Sequence, residues 1–194
     1  MPRFCSECGA PLPAPPPVTC RACDTSHWLD AKPWAGALVS RAGELLLVRR
    51  AHEPWKGAWD VPGGFCGPRE HPREAALRKV REETALEVEP GAILGMWIDS
   101  YAPGGPGADK VTLSIYFHAT APADAATRSD PHAVAEVAWF AADELPEPLA
   151  FPGHLPAVLG AWRLSAGARA PLSLPKVQSR EPRLSSVSPA PLRD

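Results

Sequence analysis

Gly64-Phe65-Cys66-Gly67-Pro68-Arg69-Glu70-His71-Pro72-Arg73-Glu74-Ala75-Ala76-Leu77-Arg78-Lys79-Val80-Arg81-Glu82-Glu83-Thr84-Ala85-Leu86 passes from a glycine-bearing loop into a run suited to a helix. Proline is tolerated in a first helical turn and Glu74 to Val80 are good helix formers, so the stretch predicts a helix over Pro72 to Thr84. At the helical repeat, Lys79, Glu82 and Glu83 fall within one turn, with 79 and 83 stacked, while Ala76, Leu77 and Val80 can face a sheet. Adjacent acids aimed at one point suit a hard cation such as Mg²⁺, which keeps waters and accepts phosphate oxygens. By themselves these residues also make a solvated charged face in which Lys79 pairs with Glu83, worth about 0.3 to 0.5 kcal/mol. The glycine loop and Glu70 ahead of the helix favour the cation reading.

Outward from this stretch, Ala35 to Val39 and Glu44 to Arg49 read as two strands turned by Arg41-Ala42-Gly43, and Asp60-Val61-Pro62-Gly63-Gly64 punctuates the chain after them. Further strands are expected at Ala92–Ser100, Val111–Thr120 and Val134–Phe140, a glycine- and proline-rich loop at Pro103 to Gly107, and a last helix from Gly153 to about Leu164. This order has no even alternation of strand and helix, so it predicts an α+β fold with a mixed sheet between helices. No repeat of solenoid period is present.

The 194 residues are 45% hydrophobic and 22% charged, enough for one domain of ordinary size with appendages. Proline, at 25 residues, is in excess and concentrates in Pro11 to Pro17 and towards the C-terminus. The last segment, 165–194, is rich in Pro, Ser and Arg and is expected to be disordered. It carries a charge of +3 against −5 for the remainder, within a net −2 that offers no global field for a nucleic-acid backbone. Neither a membrane-length apolar run nor a signal-type start is found, so a cytoplasmic protein without membrane partners is expected.

Four of the five cysteines form two C-x-x-C pairs, Cys5/Cys8 and Cys20/Cys23. Each pair can reach one ion with both sulfurs, and two pairs complete the tetrahedral thiolate set of a structural zinc site, with Gly9 suited to the turn after the second cysteine. His27 is an alternative ligand. A closed four-thiolate site has a folding role and no chemistry, and residues 1–30 are too few to hold a core without the metal. Cys66 reads as a packed thiol. Trp55, Trp59, Trp97, Trp139 and Trp162 read as core residues more readily than as a base-stacking platform.

The stretch from Gly64 to Leu86 resembles the signature of the Nudix hydrolases, G-x5-E-x7-R-E-U-x-E-E-x-G-U with U aliphatic. Gly64, Glu70, Arg78, Val80, Glu82, Glu83 and Leu86 fall on it in register, and Trp59 to Gly64 resembles the usual lead-in. The likeness runs from about Trp34 to Leu164 and implies an α/β/α sandwich over 34–164 behind a zinc ribbon over 1–30. Together the two units resemble bacterial zinc-ribbon Nudix proteins of the ADP-ribose and NADH pyrophosphatase kind. The S-Q-P-W-P-F-P-type array that marks NADH specificity is absent from Glu87 to Pro122, and Tyr101 and Pro103 lie roughly where other subfamilies carry substrate markers. Two positions depart from the signature: Ala85 replaces a glycine, and Lys79 replaces the first helical glutamate, putting a cation where a carboxylate would hold or activate a metal-bound group.

The resemblance implies Glu82, Glu83 and the Gly63 carbonyl as Mg²⁺ (or Mn²⁺) ligands, Arg78 as the residue that orients the glutamates and Glu70 as a brace for the loop. Glu136, or Asp130 before it, is a candidate for a further carboxylate. The implied activity is Mg²⁺-dependent hydrolysis of the pyrophosphate bond in a nucleoside diphosphate linked to another group, ADP-ribose-like or dinucleotide. The alternative is a catalytically impaired nucleotide-binding module in which Lys79 reaches a phosphate directly. Nucleic-acid binding rests only on the tail's charge, and a homodimer is compatible with the family.

Overall fold

The structure, a computed structural model, describes residues 2–101 and 110–167. The expected loop around Pro103 to Gly107 and most of the C-terminal segment lie outside the described residues. No helix among the described residues is long and apolar enough to cross a membrane.

The first unit holds two short strands, β1 (Val18–Thr19) and β2 (Ser26–His27), paired antiparallel. Two equivalent knuckles stand beside them. In one, Gly9 N donates to Cys5 O at 3.0 Å and Cys5 N to Ala10 O at 2.8 Å; in the other, Asp24 N donates to Cys20 O at 2.9 Å and Cys20 N to Thr25 O at 2.9 Å. Each knuckle turns on a left-handed residue four places after its first cysteine, Gly9 at φ 74° and Asp24 at φ 57°. Aspartate is among the residues that adopt this conformation at modest cost, so it serves where glycine was the legible signal.

The main sheet is built from β3 (Lys32–Arg41), β4 (Glu44–Arg50), β5 (Trp59–Asp60), β6 (Gly63–Phe65), β7 (Glu89–Ser100), β8 (Val111–Thr120) and β9 (Val134–Ala141). The helices are α1 (Pro72–Thr84) and α2 (Leu155–Gly167). The hairpin, α1 and the three later strands lie where the sequence places them; β5 and β6 are additions. β3 runs parallel to β8, and the other ladders are antiparallel, so the sheet is mixed.

The hairpin ladder between β3 and β4 holds only Ser40 opposite Leu45 and Arg41 opposite Glu44, after which the strands part. β5 fills the opening on β4, with Val48 opposite Asp60, and β6 fills it on β3, with Gly36 opposite Gly63. Trp34 makes this possible: its ring lies over Gly36 and Gly63, where a β-carbon would meet it at 2.5 Å and 2.4 Å. A side chain at Gly63 would also approach the Ala35 carbonyl at 2.8 Å, so glycine is required by space.

Strand alternation sends Leu38, Leu45 and Leu47 to one face, where α2 covers them with Leu155, Val158, Leu159 and Trp162 at helical spacing. Ala35, Ala37, Val39 and Leu46 face the other way and meet Ala75, Ala76 and Val80 of α1. The result is the expected sandwich of a sheet between helices. Trp59 and Trp162 are core residues, and Trp55, Trp97 and Trp139 pack against the two cores.

Helix α1 begins with His71 as its cap: the ring accepts from Arg73 N at 3.2 Å, and Glu74 accepts from His71 N at 3.3 Å. It ends at Ala85, held left-handed at φ 59°, with Ala85 N donating to Arg81 O at 2.9 Å. Alanine pays for its β-carbon in that conformation, where glycine does not. Ala85→Gly is therefore expected to raise unfolding free energy by about 1 kcal/mol, read as a higher denaturant midpoint at unchanged slope. An unchanged midpoint would contradict a strained helix end.

Candidate functional site

The four sulfurs of Cys5, Cys8, Cys20 and Cys23 lie within 4.8 Å of one another, the arrangement a tetrahedral ion needs. Cys5 and Cys20 are buried. Cys23 Sγ lies 3.3 Å from Thr25 Oγ1, and hydrogen bonding from Thr25 holds the Cys23 thiol down to about 6, while against the lowering hydrogen bond of the Ala10 backbone the neighbouring sulfurs push the Cys8 thiol up to about 12. His27 Nε2 is 3.3 Å from Cys5 Sγ and so stands beside the cluster. Cys66 packs against the α1-side core, and burial pushes its thiol up, as expected of an inert residue.

On the main unit, the Arg78 guanidinium joins loop to helix. Nε and Nη2 donate to the two oxygens of Glu70 at 2.7 Å and 2.8 Å, and Nη1 donates to Glu82 Oε1 at 3.1 Å. Glu70 also accepts from Gly67 N at 2.9 Å, which ties the loop back on itself. Hydrogen bonding to Arg78, with the Gly67 N–H, holds the Glu70 carboxyl down to about 2. The structure thus brings Glu70, Arg78 and Glu82 together in one network.

The two adjacent glutamates face different surroundings. Glu83 follows Val80 on the buried stripe of α1, is 8% exposed and accepts from Gly63 N at 3.3 Å. Burial pushes its carboxyl up to about 8, aided by nearby Asp60 and opposed by Lys79. Glu82, one position earlier, points outward. Its Oε2 takes the Lys79 ammonium at 2.9 Å while Oε1 takes Arg78. Burial works to raise the Glu82 carboxyl, but its bonds to Lys79 and Arg78 outweigh this and hold it below the usual range. Lys79 thus pairs with Glu82, three residues on, and not with Glu83 four residues on.

Beside Glu83, where the hairpin strands part, lies a cavity of about 390 Å³. Its wall carries the carboxylates of Glu53, Asp60 and Glu83, the cations of Arg50 and Lys79, the backbone of Gly63 and Gly64, and the rings of Trp34, Phe65 and Tyr101. Asp60 is 2% exposed and bonds to Arg50 Nη1 at 3.0 Å and to Val61 N at 2.9 Å. Burial nonetheless keeps its carboxyl above the usual range.

Arg50, Asp60 and Trp34 were not singled out by sequence reasoning, and Asp60 was read only as part of a turn. Its one local signal is its place in the lead-in before Gly64. Another set found only in three dimensions lies at the adjoining crevice, where Tyr116 OH is 2.8 Å from His154 Nε2 and His154 Nδ1 is 3.0 Å from Asp99 Oδ2.

Glu136 does not join the cavity wall. It stands opposite Arg49 in the ladder, with Arg49 Nη1 3.5 Å from its carboxylate, on the side of the sheet shared with Ala138 and Phe140. Arg50, the next residue on β4, turns to the cavity. Asp130 closes its own turn by accepting from His132 N at 2.9 Å. Gly63 lines the cavity, but the contact it makes with Glu83 is through its amide.

A family model described as NUDIX domain matches residues 32–159. A relative in Stutzerimonas stutzeri, named NAD-capped RNA hydrolase NudC, is 29% identical over 147 residues, covering 74% of this chain and 50% of its own. An ADP-ribose pyrophosphatase of Methanocaldococcus jannaschii is 33% identical over 60 residues, covering 31% of this chain and 36% of its own. The chain thus spans about half the length of the NudC relative it matches. Among solved structures, a NUDIX hydrolase from Nitrosomonas europaea superposes with a TM-score of 0.68 at 25% identity, covering 87% of this chain and 92% of that one.

The geometry of the cysteine cluster makes a direct prediction. Metal determination on the purified chain is expected to give one zinc per chain, lost in Cys20→Ser with the main unit still folded. Thiol reagents that modify all four clustered cysteines at the same rate with and without equimolar zinc would exclude the site.

Proposed function

This chain belongs to the Nudix family, and we propose that it is a pyrophosphohydrolase acting on a nucleoside diphosphate linked to a further group, ADP-ribose-like or a dinucleotide. The observation that carries this reading is the cavity at the parted hairpin, where buried Glu83 and Asp60 share a wall with Arg50 and Lys79. The names of the relatives, a hydrolase of NAD-capped RNA and a pyrophosphatase of ADP-ribose, support the same class of substrate. On this reading 1–30 is a zinc ribbon held by Cys5, Cys8, Cys20 and Cys23, and 34–164 is the hydrolase unit.

The donor set fits one divalent ion, Mg²⁺ or Mn²⁺. Glu83 is a buried carboxylate whose charge burial disfavours, which an ion would correct, and Glu82, paired outward with Lys79 and Arg78, would be a second ligand only on release from Lys79. Such an ion supplies charge neutralisation to the diphosphate and polarises phosphorus. The chain's own residues do the rest. Arg78 fixes Glu82 and, through Glu70, the loop carrying Gly64 to Gly67. Arg50 holds Asp60 by an ion pair and works to lower its carboxyl against the larger effect of burial. Neither Glu136 nor Asp130 lines the cavity, so the acids able to take a proton from water there are Glu53, Asp60 and Glu83.

A second reading, a binding module without turnover, is favoured by one observation: Lys79 already neutralises Glu82. The experiment is an incubation with Mg²⁺ and ADP-ribose, NADH, FAD or nucleoside triphosphates, assayed for AMP and inorganic phosphate. AMP release from at least one linked diphosphate is expected, with Glu83→Gln lowering kcat by about 100-fold or more. Turnover unchanged when Glu82 and Glu83 are both replaced by Gln would overturn the mechanism, and nucleotide binding without AMP would establish the second reading.

A further inference from the structure

Lys79 is held in place by more than its ion pair. Its aliphatic stem lies across Gly64 so closely that a β-carbon there would meet Cε at 2.4 Å and Cδ at 2.9 Å. The side chain is 26% exposed, and it forms part of the cavity wall together with Gly63, Gly64 and Glu83. Glu82, to which the ammonium is bonded, is not part of that wall. The side chain therefore runs along the cavity wall over Gly64 and ends on a glutamate just outside that wall.

An ammonium carries three donors, and among the described residues its one ionic partner is Glu82. Glu82 does not depend on it, because Arg78 Nη1 also holds that carboxylate, at 3.1 Å. Lysine binds phosphate as a compact point charge, and a stem packed over glycine loses little further freedom when it does so. The cavity's other cation, Arg50, is committed to Asp60 by a bond between a half-buried and a buried side chain.

We propose that Lys79 is a phosphate-binding residue, whose ammonium takes the substrate's diphosphate directly, so that a nucleoside diphosphate binds this chain without a divalent ion. The ligand class rests on the pyrophosphohydrolase reading, and the need for metal is thereby divided: turnover requires it and binding does not.

ADP binding, followed by calorimetry and by quenching of tryptophan emission, tests this in EDTA and in Mg²⁺. Wild type is expected to bind ADP in EDTA. Lys79→Met keeps the stem over Gly64 and removes the charge, and it is expected to weaken that binding at least tenfold. Lys79→Arg is expected to stay within a few-fold of wild type, and Lys79→Glu to bind ADP only with Mg²⁺. Thermal melts identify a variant that has lost its fold, in which case Lys79→Gln replaces Lys79→Met with the same expected loss.

Wild-type binding that needs Mg²⁺, or Lys79→Met binding as tightly as wild type in EDTA, would overturn the proposal while leaving AMP release, and so the hydrolase reading, intact. Conversely, metal-free ADP binding lost in Lys79→Met, with no AMP from any substrate, would support Lys79 and overturn the hydrolase.

Discussion

The Trp34 indole lying over two glycines is the packing constraint on which the site depends. With a ring across Gly36 and Gly63, neither position has room for a side chain, and β6 can lie flat against β3. Overpacking a filled interior costs about 1–3 kcal/mol, which is a large share of a small domain's stability. Because β6 occupies β3 beyond the first two hairpin pairs, β4 has to find another partner and takes β5. The cavity is the space between these strands, and the Gly63 amide that meets Glu83 comes from the same segment.

The charges then separate according to helical phase. Glu82 and Glu83 are neighbours in sequence but lie about 100° apart around α1, so one meets solvent, Arg78 and Lys79 while the other meets the sheet. The outward group is paired and ionised easily. The inward group sits where charge is poorly solvated, beside another buried acid, and its proton is held more tightly. Two identical side chains thus acquire different chemistry from a single step along the helix, with the Glu70–Arg78 fork keeping the loop registered against both.

What the sequence made legible was local. The extent of α1 follows from proline at its start and its run of helix formers, and the hairpin and three later strands follow from alternation and turn residues. The cysteine cluster was legible because each pair is its own short turn. The cavity was not, because Arg50, Asp60 and Trp34 meet only when the hairpin opens, and nothing within a few residues of any of them signals that opening. Glu136 shows the same limit: it lies one position away in parity, and the ladder shifts register between Arg49 and Arg50, so counting along β9 could not tell which side it would face. Phase also decided Lys79, for which spacing alone allowed a bond to either glutamate.

The replacement of a glutamate by Lys79 changes the charge of the site more than its shape. Counted as formal charges, the two cations and three carboxylates of the cavity wall leave −1, where a glutamate at position 79 would leave −3. A wall of −3 repels a diphosphate until divalent ions intervene. A wall of −1, whose cations flank the parted strands, presents an ammonium to the same anion and leaves less charge for a second ion to neutralise. The glycine at 64 accommodates this change, since the lysine stem occupies the volume that a β-carbon would need. A position conspicuous in the sequence as a defect in a metal-binding pattern is, in the folded chain, a packed and directed cation.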